Sequence, residues 1–154
     1  MHTTPGYPAF ATDHSNLCER LPRLYSARIH LNREALMPSA ITIYHNPNCS
    51  KSRQTLALIE DAGITPNVVE YLQTPPDAKT LRALLNKLGE LSPRDIMRKA
   101  ETVYADNNLA DDTLSESALI QAMIAHPILI QRPIVVKGDK AIIGRPPENV
   151  LELL

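Results

Sequence analysis

Cys49 lies in a segment whose residue types and spacing favour thiol chemistry. It follows the apolar, strand-like run Ile41 to Tyr44 and directly precedes a helical pattern that begins at Ser50. A cysteine in the first turn of a helix faces unpaired backbone N–H groups and the positive end of the helix dipole, and both favour thiolate over thiol. The same N–H groups can bind an oxyanion. The segment therefore predicts a nucleophile beside an anion site, an arrangement suited to electron transfer to the anion.

Charged and polar residues surround this thiol in the sequence. His45 lies shortly before it, and Lys51 and Arg53 follow it, so that all three add positive or titratable charge. The N–H groups that would hold the anion belong to the first helical turn. The residues predicted to bind substrate in this way are Ser50, Lys51, Ser52 and Arg53.

Several thiol chemistries fit these residues poorly. A dithiol oxidoreductase needs Cys-x-x-Cys, and Ser52 occupies the position of the second cysteine. A cysteine-phosphatase loop carries an arginine where this chain has Thr55. A cysteine hydrolase would need a distant histidine, and we interpret His126, which precedes a proline, as a residue at a helix end. A single cysteine that works with an external thiol remains.

The elements that must position this thiol follow from hydrophobic periodicity and from breakers. One strand precedes the first helix and one follows it, a helical region comes next, and Gly138-Asp139 forms the turn of a final hairpin. The predicted elements, in order, are strand Ile41 to Tyr44, helix Ser50 to Ala62, strand Val68 to Leu72, a helix through Leu81 to Leu88, a helix carrying Ile96, Met97, Arg98 and Lys99, helix Ser115 to Ala125, strands Ile134 to Lys137 and Lys140 to Ile143, and a closing helix through Val150, Leu151 and Leu154.

This order, βαβ, a helical insertion between the second and third strands, then ββα, is that of a thioredoxin-like α/β fold. In that layout the loop before the third strand lies beside the N-terminus of the first helix, so Arg132 should reach Cys49. Arg98 on the inserted helix and Arg145 before the last helix are further candidates. A guanidinium group suits a tetrahedral oxyanion because it donates two parallel hydrogen bonds and stays charged. The competing interpretation of each arginine is a solvated surface charge.

Composition limits the other classes of function. The 154 residues, 44% of them hydrophobic, are enough for one core. We predict that residues 1–39, which carry four prolines and no periodicity, are a poorly ordered N-terminal extension and that residues 40–154 form the domain. The five glycines form no nucleotide-binding loop, and Cys18 and Cys49 have no metal-finger spacing, so we expect neither a bound cofactor nor a metal.

The charge balance and hydropathy suggest no large polyanionic or lipid partner. The net charge is −1, which gives no general attraction to nucleic acid or to acidic lipid. No apolar stretch long enough to cross a membrane and no secretory signal can be recognised. We therefore expect a cytoplasmic protein that binds neither nucleic acid nor membrane.

Residues 41–154 resemble the glutaredoxin-linked arsenate reductase family over nearly their whole length. Several separated motifs appear in the family's order. They are Ile43-Tyr44-His45-Asn46-Pro47 with Cys49 and Ser52-Arg53, Tyr71-Leu72 with Thr74-Pro75-Pro76, Met97-Arg98-Lys99, His126-Pro127-Ile128-Leu129-Ile130 with Arg132-Pro133-Ile134-Val135-Val136, and Arg145-Pro146.

The resemblance implies a function and a set of site residues. Cys49 would be the nucleophile that attacks arsenate, and His45 would favour its thiolate. Arg98, Arg132 and Arg145 would bind the oxyanion and the intermediates. Glutathione would act as an external reductant, glutaredoxin would take over the glutathionyl group, and arsenite would leave.

The loop Cys49-Ser50-Lys51-Ser52-Arg53 and the early end of the chain after Arg145 resemble a short branch of that family. The enzymes of resistance operons commonly have a glycine and a small residue after the cysteine, and a longer C-terminal tail. Two alternatives share the fold. One is a monothiol glutaredoxin-like oxidoreductase with another substrate, and the other is a redox-responsive regulator that binds RNA polymerase.

Overall fold

The computed structural model describes residues 40–154, so the predicted N-terminal extension and Cys18 lie outside the described residues. Four strands and four α-helices are joined by short 3₁₀ turns. In chain order they are β1 (Ile41–His45), α1 (Ser50–Asp61), β2 (Asn67–Glu70), α2 (Ala78–Lys87), a 3₁₀ turn (Pro93–Ile96), α3 (Thr102–Asp106), α4 (Glu116–Ala125), a 3₁₀ turn (Pro127–Leu129), β3 (Ile134–Lys137), β4 (Lys140–Ile143) and a 3₁₀ helix (Pro147–Glu152). None of the described helices combines the length and the apolar character needed to span a bilayer.

The four strands form one sheet in the order β2-β1-β3-β4. β1 and β2 are parallel, with His45 opposite Glu70. β3 runs antiparallel to β1, with Ile134 opposite Tyr44, and β4 returns as a hairpin with Ile143 opposite Ile134. The predicted α/β class, the parallel first pair and the final hairpin are confirmed.

Each face of the sheet has its own hydrophobic core, because alternate residues of a strand point to opposite faces. Ile43 and Val135 meet α1 and the last 3₁₀ helix through the buried side chains of Ile59 and Val150. The other face packs against the helical insertion, whose buried residues include Leu81 and Met123 on α2 and α4. Burial of such a side chain contributes roughly 1.5–3 kcal/mol, so the two cores hold the helices firmly on the sheet.

The boundaries of the longer helices follow the predicted signals. Asp77 accepts a hydrogen bond from the Thr80 N–H, and Ser115 accepts one from the Ala118 N–H, so both act as N-caps. After α1, Gly63 adopts a φ of +76°, and after α2, Gly89 adopts a φ of +100°. Glycine reaches this region without steric cost, which suits it to ending a helix.

The predicted helix carrying Ile96 to Lys99 is wrong. Ser92 and Asp95 form a capping box, but the turn that it begins ends at Ile96, and Met97 is extended with φ −88° and ψ 136°. Met97 pairs with Ile130 as an isolated β-bridge, and the Arg98 N–H donates to the Leu129 carbonyl at 2.7 Å. Pairing with a distant segment overrides the local pattern, and Arg98 therefore lies on an extended segment.

Three other features of the secondary structure differ from the prediction. β2 ends at Glu70 because the Gln73 and Thr74 N–H groups both donate to its carbonyl and close a turn around Tyr71. The closing helix is 3₁₀ rather than α, and Leu151 on it is 55% exposed instead of packed. α3, a helix of five residues, was not predicted.

Candidate active site

The described residues that carry the predicted chemistry meet at one edge of the sheet. Cys49 follows the carboxyl end of β1, and the pairing of Ile134 with Tyr44 places Arg132, which precedes β3, at the same edge. β4 ends there too, which brings Arg145 to this edge. The register of the sheet thus assembles residues that are far apart in the sequence.

Cys49 is the N-cap of α1 and is 8% exposed. Its N–H donates to the Asn46 carbonyl at 3.0 Å, which fixes the loop that leads into the helix. Burial raises the pKa of the Cys49 thiol, but hydrogen bonds from the Ser52 N–H, the Arg132 and Arg145 side chains and the Lys51 N–H outweigh it, so the pKa lies below its ordinary value. The predicted thiolate-favouring environment is present.

His45 contacts Ser52. Its Nδ1 lies 3.0 Å from the Ser52 hydroxyl, which also accepts a hydrogen bond from the Asn46 N–H at 3.0 Å. Burial lowers the pKa of His45, Glu70 opposes this and Arg53 adds to it, and the net direction is downward. A neutral imidazole at pH 7 does not add the positive charge expected from the sequence, and its observed contact is with the first turn of α1.

In the turn that was predicted to bind the anion, the backbone N–H groups act on the Cys49 sulfur, whereas the Lys51 and Arg53 side chains have other partners. The Lys51 Nζ donates to the Gln54 Oε1 at 3.3 Å, and the Arg53 Nη1 donates to the Pro47 carbonyl at 2.7 Å. Both side chains are exposed, as is Ser50. The N–H groups of the turn face the sulfur, whereas the Lys51 and Arg53 side chains lie along the helix and the loop.

Arg98 approaches the site from the extended segment after the first 3₁₀ turn. Its Nη1 donates to the Ile128 carbonyl at 3.4 Å, and its guanidinium group is paired with Glu101. Burial and the nearby charge of Arg132 lower the pKa of Arg98, with Glu101 opposing them. Since the charge of Arg132 acts on Arg98, the two guanidinium groups lie in one positively charged region.

Arg132 provides hydrogen-bond donors that the described residues do not use. Its Nε and Nη1 are buried and have no hydrogen-bond partner among residues 40–154, and the same holds for the Tyr71 hydroxyl. Buried polar atoms in folded proteins nearly always have a partner, and those without one call for an explanation. These three atoms mark a place where an acceptor would fit.

Arg145 contacts both Arg132 and Cys49. Its Nε donates to the Arg132 carbonyl at 3.0 Å, and its Nη2 lies 3.9 Å from the Cys49 Sγ. The preceding residue, Gly144, donates its N–H to the Pro133 carbonyl at 2.9 Å. Both Arg132-Pro133 and Arg145-Pro146 have cis peptide bonds.

Gly144 allows a close approach that a larger residue would prevent. A Cβ at this position would lie 2.6 Å from the Thr55 Oγ1 and 2.8 Å from the Pro133 Cγ, both closer than real Cβ contacts. The end of β4 therefore touches α1 and the loop before β3 at once. Arg145, the next residue, follows directly from this close contact.

The structure brings Cys49, Arg98, Arg132 and Arg145 together and places His45 one residue away, behind Ser52. Sequence reasoning missed the place of Tyr71 and Gly144 in this site. Tyr71 did belong to a motif of the resemblance, which was the one available signal. Within residues 40–154, His, Cys, Asp and Glu side chains form no cluster of three that could hold a metal ion.

The chain is similar to known proteins over most of its described residues. The ArsC family model matches residues 44–153. The chain belongs to the ArsC family. This family member is 58% identical over 118 residues to the uncharacterized protein YfgD of Escherichia coli K12, an alignment that covers 77% of this chain and 99% of YfgD.

Two further relatives of this ArsC family member have names that state an activity. A Haemophilus influenzae protein named arsenate reductase is 49% identical over 115 residues, covering 75% of this chain and 99% of that protein. The solved structure of an arsenate reductase from Vibrio cholerae is 51% identical, covers 77% of this chain and 100% of that one, and superposes with a TM-score of 0.74.

Proposed function

We propose that this protein is an arsenate reductase that uses one nucleophilic cysteine, Cys49, with glutathione and glutaredoxin. The observation that carries the proposal is the lowered pKa of a thiol held beside Arg132 and Arg145, with unused guanidinium donors next to it. The names of the Haemophilus influenzae and Vibrio cholerae relatives support arsenate as the substrate.

In the proposed first step the Cys49 thiolate attacks the arsenic of arsenate. A sulfur–arsenic bond forms and an arsenic–oxygen bond breaks, and the departing oxygen leaves as water with the two protons of dihydrogen arsenate. Arg98, Arg132 and Arg145 offset the negative charge of the oxyanion, and the N–H groups of Lys51 and Ser52 add donors from the end of the helix dipole. Removal of one such donor in other enzymes costs about 10²–10³ in rate.

In the proposed second step glutathione supplies the other thiol. Its sulfur bonds to the Cys49 sulfur as the sulfur–arsenic bond breaks, the electron pair of that bond stays on arsenic, and arsenic leaves as arsenite. Glutaredoxin then removes the glutathionyl group and restores Cys49. Ser52 at the position of a second cysteine supports an external thiol, because the first turn of α1 offers no resolving partner. Such chemistry suits the cytoplasm, where thiols are kept reduced.

A coupled assay tests this function. Arsenate should drive oxidation of NADPH in the presence of glutathione, glutaredoxin and glutathione reductase. Cys49→Ser should abolish turnover, and Arg132→Ala should reduce it by about 10²-fold or more because it removes an oxyanion donor. Arg82→Ala, on the exposed side of α2, is a matched control and should turn over normally. An active Cys49→Ser protein would contradict the mechanism.

A further inference from the structure

Tyr71 is a buried residue whose polar end the fold leaves unused. It is 0% exposed, and its hydroxyl has no hydrogen-bond partner among the described residues. A buried hydroxyl without a partner lowers stability by its full desolvation cost. A phenylalanine would fill the same space without that cost, so packing alone does not explain the hydroxyl.

The position of Tyr71 links the hydroxyl to the active site. The residue follows Glu70, the last residue of β2, which lies opposite His45 at the end of β1. It therefore leaves the sheet at the edge from which Cys49 and Arg132 also emerge. Burial raises the pKa of Tyr71 and the nearby Cys49 adds to the rise, whereas the charge and hydrogen-bonding side chain of Arg132 and the charge of Arg98 oppose it; the net rise keeps the proton on the hydroxyl at neutral pH, so it can donate.

The unsatisfied atoms at this place are mostly donors. Two buried nitrogens of Arg132 and the Tyr71 hydroxyl have no partner with full hydrogen-bond geometry among the described residues, although the Arg132 side chain lies close enough to the hydroxyl to lower its pKa as a hydrogen-bond donor. A guanidinium group only donates, and the hydroxyl offers one proton besides its lone pairs. A ligand with more acceptor sites than protons, such as a tetrahedral oxyanion, would satisfy all three atoms.

We propose that the Tyr71 hydroxyl donates a hydrogen bond to the tetrahedral oxyanion that binds beside Arg132 and Cys49. Tyr71 would thus be a neutral donor added to the three arginines and to the helix N-terminus. The inference rests on the proposed function in that arsenate is the oxyanion used to test it. The stability lost by leaving the hydroxyl unpaired in the free protein would be recovered when the oxyanion binds.

The test compares the wild type, Tyr71→Phe and the control Tyr104→Phe. Tyr104 is another buried tyrosine, in the core between the sheet and the helical insertion. The readout is the arsenate concentration that protects Cys49 from alkylation by iodoacetamide. Tyr71→Phe should require roughly 10- to 100-fold more arsenate, as expected for one hydrogen bond to a charged group. Tyr104→Phe should require the same concentration as the wild type.

Thermal unfolding separates a ligand-binding role from a structural one. Without arsenate, Tyr71→Phe should melt at or above the wild-type temperature because it removes an unsatisfied buried group. Added arsenate should raise the melting temperature of the wild type more than that of the variant. A variant that melts lower and is protected by the same arsenate concentration would show a structural role and overturn the inference.

The two proposals fail in different ways. Wild-type turnover with unchanged protection in Tyr71→Phe would overturn the inference about Tyr71 alone. Protection of the wild type by arsenate without turnover would overturn the proposed reductase, while weaker protection in Tyr71→Phe would still support the tyrosine as a donor. A wild-type thiol that arsenate does not protect at all would overturn both.

Discussion

The nucleophile at residue 49 owes its reactivity to groups from three parts of the chain. The first turn of α1 contributes N–H groups, the residue before β3 contributes Arg132, and the residue after β4 contributes Arg145. Together they outweigh burial, which alone would keep the thiol protonated. A lowered pKa at this position is therefore a property of the assembled sheet edge as much as of the helix.

We predict that Arg145→Ala raises the pKa of Cys49, because the variant removes a guanidinium group that lies 3.9 Å from the sulfur. The rate of alkylation by iodoacetamide, measured against pH, should shift to a higher midpoint and fall several-fold at pH 7, since only the thiolate reacts. Arg82→Ala is the control and should leave the profile unchanged. A profile that does not move would mean that Arg145 has no part in thiolate formation.

His45 should make folding sensitive to acid. Its pKa is lowered in the folded protein, so below about pH 6.5 the unfolded chain binds protons that the folded protein does not. Stability contributed by the neutral ring is therefore present above that pH and is lost as the pH falls toward the folded pKa. The melting temperature should drop between pH 7 and pH 5.5, and His45→Asn should drop less.

The control for this acid effect is His126→Asn, which changes a histidine at the end of α4. It should keep the wild-type dependence of melting temperature on pH. Equal dependence in the wild type and in His45→Asn would show that His45 does not account for the acid sensitivity.

At the residue scale, part of the site followed from the sequence. The start of a helix at Ser50 and the position of Arg132 before β3 predicted that the helix N–H groups and Arg132 lie beside Cys49, whereas the role of Arg145 came only from the family resemblance. The neutral state of His45 was not predictable, because it depends on burial that appears only in the folded protein. The unpaired hydroxyl of Tyr71 was hidden for the same reason.

Among the elements, the residue after β4, Gly144, lies unusually close to α1 and to the loop before β3. Gly144→Ala would place a Cβ against Thr55 and Pro133, neither of which is the free end of a flexible side chain. We expect the variant to lose roughly 1–3 kcal/mol of unfolding free energy, as overpacking typically does. Displacement of Arg145 should also slow turnover. Chemical denaturation and the coupled assay measure the two effects.

A second substitution checks that the loss in Gly144→Ala comes from this contact. Thr55→Ala removes both Thr55 atoms that the new Cβ would meet, although the contact with Pro133 stays. The double variant should therefore recover part of the stability that Gly144→Ala loses. Purely additive losses in the double-mutant cycle would show that the two residues do not interact.

The elements also show where sequence patterns reach their limit. Periodicity and capping residues predicted α1, α2, α4 and the final hairpin close to their observed bounds. The helix predicted around Arg98 was wrong because the backbone there pairs with Leu129 and Ile130, about thirty residues later. Tertiary contacts of this kind override local propensity, and nothing in the local sequence indicates them, so the prediction failed.

At the scale of the whole molecule, the functional part of the chain should be self-contained. The family match covers residues 44–153, and both cores lie within the described residues. We predict that a protein starting at Met37 keeps the melting temperature and turnover of the full chain. The comparison requires the two proteins side by side in the same thermal scan and coupled assay. Loss of folding on removal of residues 1–36 would contradict it.

The contact between Gly144 and Thr55 has a consequence for folding. A phosphatase-type loop would carry its arginine at position 55, within one local segment, but β4 fills the space beside that position. A guanidinium group that lies 3.9 Å from the sulfur comes instead from a residue 96 positions away. Contacts of such large sequence separation form only when the chain has closed its longest loops. Activity should therefore rise and fall with the fully folded population, which makes turnover a direct reporter of global folding cooperativity.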